Sequence, residues 1–261
     1  MRTAPHISSA RARPSSRRAF TLIELLIVVT ILSLLVAILL PSLASAKAMA
    51  KAIVCTTNLR SIATAWHVYL TDSDESFPKM YRETSPGTFR AQNVQWFYGG
   101  KQPCVYDTLY GTTLPFRPLN PYLDQSLTNE QGTGIFQCAA DGEIRHATTG
   151  VSNTVGYKTY EYYGNSYMMN HLLLVPLDSD GAEVRDQPFR LTSVEIPLSV
   201  LAVAGDCQWY YTVNNLPWNA QFHNKEDKMG VGFLDGHAEF LRLVRGEPVT
   251  AAYSFSPYRE E

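Results

Sequence analysis

The sequence predicts an α+β protein, with one long N-terminal α-helix over about residues 20–70 and a head built on an antiparallel β-sheet. Three observations predict it. An uncharged apolar run extends from Leu25 to Ala46. Apolar positions then recur at helical spacing as far as Tyr69. Near the C-terminus, two strand-like runs flank the dipeptide Asp235-Gly236.

The 261 residues are 45% apolar and carry a formal net charge of -2. Such a chain can bury a core and lacks the basic excess that gathers phosphates, so nucleic acid is not expected as a partner. Charge is lopsided only over residues 1–19, where Arg2, Arg11, Arg13, Arg17 and Arg18 stand without an acid. A basic stretch ahead of an apolar one has the order of a targeting signal, and residues 1–19 are set apart as a leader peptide. Phe20 to Leu40 is dominated by Leu, Ile and Val, enough to cross roughly 30 Å of hydrocarbon as a helix. The arginines in front would hold that end in the cytoplasm and send the rest to the outer side. Glu24 breaks the pattern, because a lone carboxylate in a span suited to lipid is costly and marks a function.

The segment has three readings. "ASA" at Ala44–Ala46 has the small-x-small form cut by ordinary signal peptidase, which would release a soluble or anchored exported protein; the apolar region is longer than the roughly 7–15 residues such signals use. "SRRAF", Ser16 to Phe20, has the form of a twin-arginine export signal. In the third reading, "RRAFTLIELLIVVTILSLLVAILLP", Arg17 to Pro41, closely resembles the type III signal of type IV pilins and type II secretion pseudopilins.

That resemblance implies cleavage between Ala19 and Phe20, N-methylation of the new Phe20 amine, and an assembly role for Glu24 as the fifth mature residue. It also implies that the helix bends or loosens at Pro41. Where the family usually shows Gly before the cut, this chain has Ala19. The implied protein is a single-pass subunit of the inner membrane, with its head in the periplasm, that polymerises into a pilus or pseudopilus. Its implied partners are copies of itself, other pseudopilins, a prepilin peptidase, an inner-membrane assembly platform and membrane lipid. The physics is consistent: side-by-side packing of identical helices brings one Glu24 to a neighbour's Phe20 amine, and leaving either charge unpaired in lipid costs several kcal/mol.

Beyond Pro41 the apolar positions Leu43, Ala46, Ala50, Ile53/Val54, Thr57, Ile62, Ala65/Trp66 and Tyr69 recur with a period near 3.6, opposite Lys47, Lys51, Asn58, Arg60 and Thr64. The helix therefore divides into an assembly half, 20–41, and an amphipathic half, 42–71, that ends at the polar "TDSDESFP"; the head occupies 72–261. "CTTNLRSIATAWHVYLTDSDESFP", from Cys55, resembles the start of the head in a group of pilin-like proteins.

Within the head, "VQWFYGG", "GIFQC", "YKTYEYYGNSYMMN" and "FRLTSVEI" have the alternation or aromatic content of short strands, and "LSVLAVAGD" reads as a buried strand. The tyrosines from Tyr157 to Tyr167 are read as lining half-buried sheet faces with wet hydroxyls, in preference to a sugar- or peptide-binding face. "GVGFLDGHAEFLRLV", 230–244, is a hairpin whose Asp235-Gly236 suits a two-residue type I′ turn.

Cys55, Cys104, Cys138 and Cys207 include no C-x-x-C, so three full pairings and four free buried thiols all stay open. His223 through His237 resembles a C-terminal His…Asp-Gly signature of the same pilin-like group, although the eleven residues between His223 and Asp235 exceed its usual spacing. Asp206, His223, Asp235 and His237 are candidate ligands of a zinc- or manganese-like ion, and Asp206, Asn224, Glu226 and Asp227 offer oxygens suited to calcium. Neither set is a complete pattern, and no cofactor is expected. G-x-S-x-G, a P-loop, a dinucleotide glycine pattern and H-E-x-x-H are all missing, which points to a structural and interactive head rather than an enzyme.

Overall fold

The computed structural model describes residues 20–79, 81–91, 98–101, 104, 117–123, 134–144, 156–176, 183–184, 186–216, 222–223 and 228–259. The chain forms two compact units, Met1–Ala46 and Lys47–Glu261.

A single helix, α1 (Leu22–Asp72, 51 residues), begins in the first unit and ends in the second. In the first unit its side chains are exposed all round. The few polar groups there are satisfied within the helix: Thr30 Oγ1 donates to the Leu26 carbonyl at 2.9 Å and Ser33 Oγ to the Val29 carbonyl at 2.7 Å. A helix that satisfies its hydroxyls internally and, Glu24 apart, presents a nearly all-aliphatic surface is suited to hydrocarbon or to identical neighbours. It is long and apolar enough to cross a membrane. Pro41 lies inside the helix. Its ring nitrogen has no proton for the Ala37 carbonyl, so one rung of the ladder is missing there.

In the second unit the buried face of α1 is Cys55, Leu59, Ile62, Ala63, Ala65, Trp66 and Leu70. This differs from the stripe expected from sequence, since Ile53, Val54 and Thr57 are exposed. Asn58, assigned above to the polar face, donates to the Gln137 carbonyl and to the Tyr167 hydroxyl, both at 3.2 Å. The expected stripe carried the membrane run's register forward, whereas the head selects the face that meets its sheet. Trp66 anchors the contact, fully buried with ring centroids of Tyr69, Phe77 and Tyr98 at 5.3, 5.6 and 5.8 Å. Burying a side chain of this size is worth about 1.5–3 kcal/mol or more.

The head carries a hairpin, β1 (Tyr81–Ser85) and β2 (Thr88–Ala91), and a four-stranded antiparallel sheet of order β3-β4-β5-β6. Its strands are β3 (Tyr167–Met169), β4 (Ala202–Asp206), β5 (Lys228–Phe233) and β6 (Ala238–Arg242). Short helices α2 (Asn120–Leu123), α3 (Thr159–Tyr163) and α4 (Gln208–Val213) punctuate the connections. β4 is buried along its whole length, as its unbroken apolar run implies. On β5, a Cβ at Gly230 would fall 2.6 Å from Leu59 Cδ1, and one at Gly232 would fall 3.1 Å from the Leu59 carbonyl oxygen. Glycine is what lets α1 lie so close to the sheet. Asn170, buried after β3, donates to the Ala202 carbonyl at 2.8 Å and the Phe255 carbonyl at 2.9 Å, tying the C-terminal segment to β4.

The long helix and the antiparallel sheet agree with the predicted class; several local expectations do not. Gly134–Phe136 of "GIFQC" is a 3-10 turn, Thr159–Tyr163 is helix α3, and Leu191–Ser193 of "FRLTSVEI" is again a 3-10 turn. Of "VQWFYGG", residues 94–97 lie outside the described residues. Tyr162, Tyr163 and Tyr167 are core residues rather than wet sheet-face residues. The β5–β6 loop closes through Gly236 N–H to the Phe233 carbonyl at 3.0 Å and Phe233 N–H to the His237 carbonyl at 2.8 Å, with Gly236 the loop residue of positive φ (94°). This is a three-residue connection, a type I turn with a G1 bulge, in place of the expected type I′ turn, which needs positive φ at two residues.

Candidate functional site

The first candidate region is the start of α1. Thr21 precedes the helix and accepts at Oγ1 from Glu24 N–H at 3.2 Å, while Glu24 Oε2 accepts from Thr21 N–H at 2.9 Å and Thr21 Oγ1 at 2.8 Å. Two helix-end donors are thus satisfied reciprocally, the arrangement of a capping box. Both bonds to the carboxylate use Oε2. Phe20 is 69% exposed and stands immediately before the cap. Ala19 and the residues before it lie outside the described residues. Sequence reasoning missed Thr21, although Thr-x-x-Glu ahead of an apolar run is itself a cap signature.

Residues 14–40 match the prokaryotic N-terminal methylation motif. The methylation motif spans the basic residues Arg17 and Arg18, Phe20, the Thr21–Glu24 box and the apolar helix as far as the residue before Pro41. Together with the long apolar helix it supports a type IV pilin-like filament subunit, anchored in a membrane and assembling with other pilins. The motif belongs to structural subunits rather than to a class of enzymes. Comparison with curated proteins and with solved structures gives no match.

The second candidate region lies in the core of the head. Cys55, on the buried face of α1, forms a disulfide with Cys138, 83 residues later and just past the 3-10 turn. Cys104 and Cys207 are buried outside any disulfide. Of the three pairings left open by sequence, the structure contains this bridge and not a second one among the described residues. Beside it, His223 Nε2 lies 3.4 Å from Cys138 Sγ and 3.4 Å from Asp206 Oδ2. Asp206 ends β4 and also accepts Gly230 N–H from β5 at 2.7 Å. His223 adopts φ 56°, and its ring meets Phe240 edge-on at 4.8 Å. All four side chains are buried.

Of the four metal candidates, Asp206 and His223 therefore converge. Asp235 and His237 instead pair with each other at the hairpin turn, where His237 N–H also donates to Asp235 Oδ1 at 3.0 Å. Burial pushes the Asp235 carboxyl up, but the hydrogen bonds and charge of His237 outweigh it and hold the group below the usual carboxylate range. His237 stacks flat on Phe233 at 4.2 Å. Asn224, Glu226 and Asp227, the remaining calcium candidates, lie outside the described residues.

A third acid, Asp141, caps α3: it accepts Tyr160 N–H at 2.7 Å, Thr159 N–H at 3.2 Å and Ser166 Oγ at 2.8 Å. Burial pushes its carboxyl up to about 6, against the pull of those donors.

Proposed function

We propose that the chain is a prepilin-like subunit, cut between Ala19 and Phe20, N-methylated on Phe20, and assembled through its N-terminal helix into a pilus or a type II secretion pseudopilus. The observation that carries this reading is an apolar helix, exposed on every side from Leu22 to Ala50, that begins inside the matched motif. Isolated in water, such a surface is unfavourable by about 25 cal/mol per Å². Lipid covers it before assembly and neighbouring helices cover it afterwards. Prepilin peptidase, an inner-membrane platform and other pseudopilins are the partners this sequence of events requires.

Glu24 takes two roles on this reading. In the single subunit its Oε2 closes the cap on Thr21; in the filament its remaining oxygen and its charge meet the Phe20 amine of a neighbour. Charge pairing in low dielectric then fixes the axial register of successive subunits. The head stays outside the membrane, in the periplasm, as the surface through which the filament does its mechanical work.

The mature N-terminus tests the reading. Purification of membrane and filament fractions, followed by intact-mass and N-terminal peptide measurement, is expected to give methylated Phe20. A second reading has one observation in its favour: the boundary between the compact units falls at Ala46/Lys47, where an ordinary signal peptidase would cut "ASA". That cut would release a head retaining the whole buried face of α1, and a mature N-terminus at Lys47 would establish it in place of the filament.

A further inference from the structure

We propose that Cys55, Cys138, His223 and Asp206 bind one zinc-class divalent metal ion when the two cysteines are thiols. The site lies in the head, and the inference does not depend on filament assembly.

Three donors are already gathered: Cys55 Sγ, Cys138 Sγ and a His223 ring nitrogen lie within 4.8 Å of one another. With metal–sulfur bonds of about 2.3 Å and metal–nitrogen bonds of about 2.0–2.1 Å, a tetrahedral site has edges of roughly 3.3–3.8 Å. The Cys138 Sγ to His223 Nε2 and His223 Nε2 to Asp206 Oδ2 separations, both 3.4 Å, fall in that range. The imidazole turns the same nitrogen toward sulfur and carboxylate, as a shared ligand would. Opening the disulfide lets the sulfurs separate to a metal–ligand edge, and Asp206, which lies outside the 4.8 Å group, completes the shell by a shift of the carboxylate or of a freed thiolate toward the other.

The second observation is electrostatic. Asp206 is wholly buried, and its Oδ1 has no hydrogen-bond partner among the described residues. A buried carboxylate is costly unless its oxygens are matched. A bound cation beside it supplies the missing positive charge. Two thiolates and an imidazole select zinc over calcium or magnesium, which prefer all-oxygen shells. Asp206, the calcium candidate among the described residues, sits beside sulfur and nitrogen donors.

Disulfide and metal exclude one another because they use the same sulfur atoms. The chain is synthesised as the dithiol. Metal binding releases two protons, one from each thiol, and leaves sulfur unoxidised. Disulfide formation removes two protons and two electrons, which pass to the disulfide of an exchange partner and reduce it to a dithiol. The cluster thus has two closures, one metallated and one oxidised.

Titration of the full-length chain with Co²⁺, in detergent and under argon, tests this after reduction by a phosphine. The expected result is one Co²⁺ per chain, with thiolate-to-cobalt charge-transfer absorption and tetrahedral d–d bands, both lost when Zn²⁺ is added. The oxidised chain should show neither. H223Q and D206N should each weaken binding about 10–100-fold, and C138S should abolish the charge-transfer band. Absence of that band from reduced wild-type protein at saturating Co²⁺ overturns the proposal without reference to any variant. Unchanged affinity in both H223Q and D206N overturns the assignment of ligands. Circular dichroism of the oxidised H223Q and D206N chains checks that the fold is kept.

Discussion

Thr21 and Glu24 close a capping box on the first turn of an apolar helix, each side chain hydrogen-bonded to the other residue's backbone N–H. The acid therefore has an occupation inside its own subunit before any neighbour arrives. A test of its intersubunit role must separate cap from charge.

Glu24→Gln achieves that separation, because Gln at this position also closes a capping box. The variant is expected to insert, to be cut, and to keep its helix start, yet to be missing from sheared filament fractions. Glu24→Ala should show the same assembly defect together with a frayed helix start, because the Thr21 N–H loses its acceptor. Quantitative blotting of filament against membrane fractions is the measurement. Incorporation of the Gln variant at the wild-type level would remove charge pairing from the account.

If the chain is cut between Ala19 and Phe20 as proposed, Ala19→Trp should block maturation by placing a bulky side chain at the scissile bond. Mass spectrometry of the membrane fraction should then find the leader still attached and Phe20 unmethylated. A mature mass identical to wild type would rule out cleavage at Ala19–Phe20.

Gly230→Ala should destabilise the head through one contact, the Cβ that would meet Leu59 Cδ1 at 2.6 Å. Overpacking of this kind costs about 1–3 kcal/mol. The double variant Gly230→Ala with Leu59→Ala removes the clash but leaves a gap along α1. Thermal unfolding should therefore show non-additive losses, and simple additivity would mean that the two residues do not meet.

Asp141 gives the head a pH dependence of definite sign. Its carboxyl lies at about 6 in the fold against an ordinary 3.8, so between those values the folded chain holds more proton than the unfolded one. Stability from this group is then complete below pH 3.8 and is lost as pH rises toward 6. Asp141→Asn should flatten the unfolding midpoint across that interval. A midpoint in the variant that still falls with pH as steeply as in wild type would assign the dependence to another group.

How much of this was legible in the sequence follows from how far apart the interacting residues lie. The apolar run up to Leu40 declares itself because membrane compatibility is written within a few turns of one helix, and residues 14–40 match the methylation motif. The β5–β6 hairpin is equally local, although its turn type required knowing that Asp235 keeps an ordinary φ while Gly236 does not. By contrast, Cys55 meets Cys138 across 83 residues, and Asp206 meets His223 from another pair of elements. No periodicity records such meetings. "GIFQC" has the composition of a strand, yet Phe136 is buried in the core from a 3-10 turn, so tertiary packing overrode propensity there. Ile62, Ala65 and Trp66 were legible in the apolar stripe, whereas Cys55 and Leu59 were hidden for a related reason: which face of a helix is inward depends on the sheet it meets.

The Cys55–Cys138 link has a mechanical consequence for a subunit held in a filament by its N-terminal helix. Tension entering the head along α1 reaches Cys55 first, and the covalent bridge hands it directly to the chain leading on to β3 and β4. The span between the two cysteines, including the β1–β2 hairpin, is bypassed by the load and can stay slack while the polymer is pulled. Changes at the exposed β1–β2 tip, Ser85–Thr88, are therefore ones a filament of such subunits would tolerate, whereas the two sulfur positions, joined directly or through a shared metal, form the subunit's tow point.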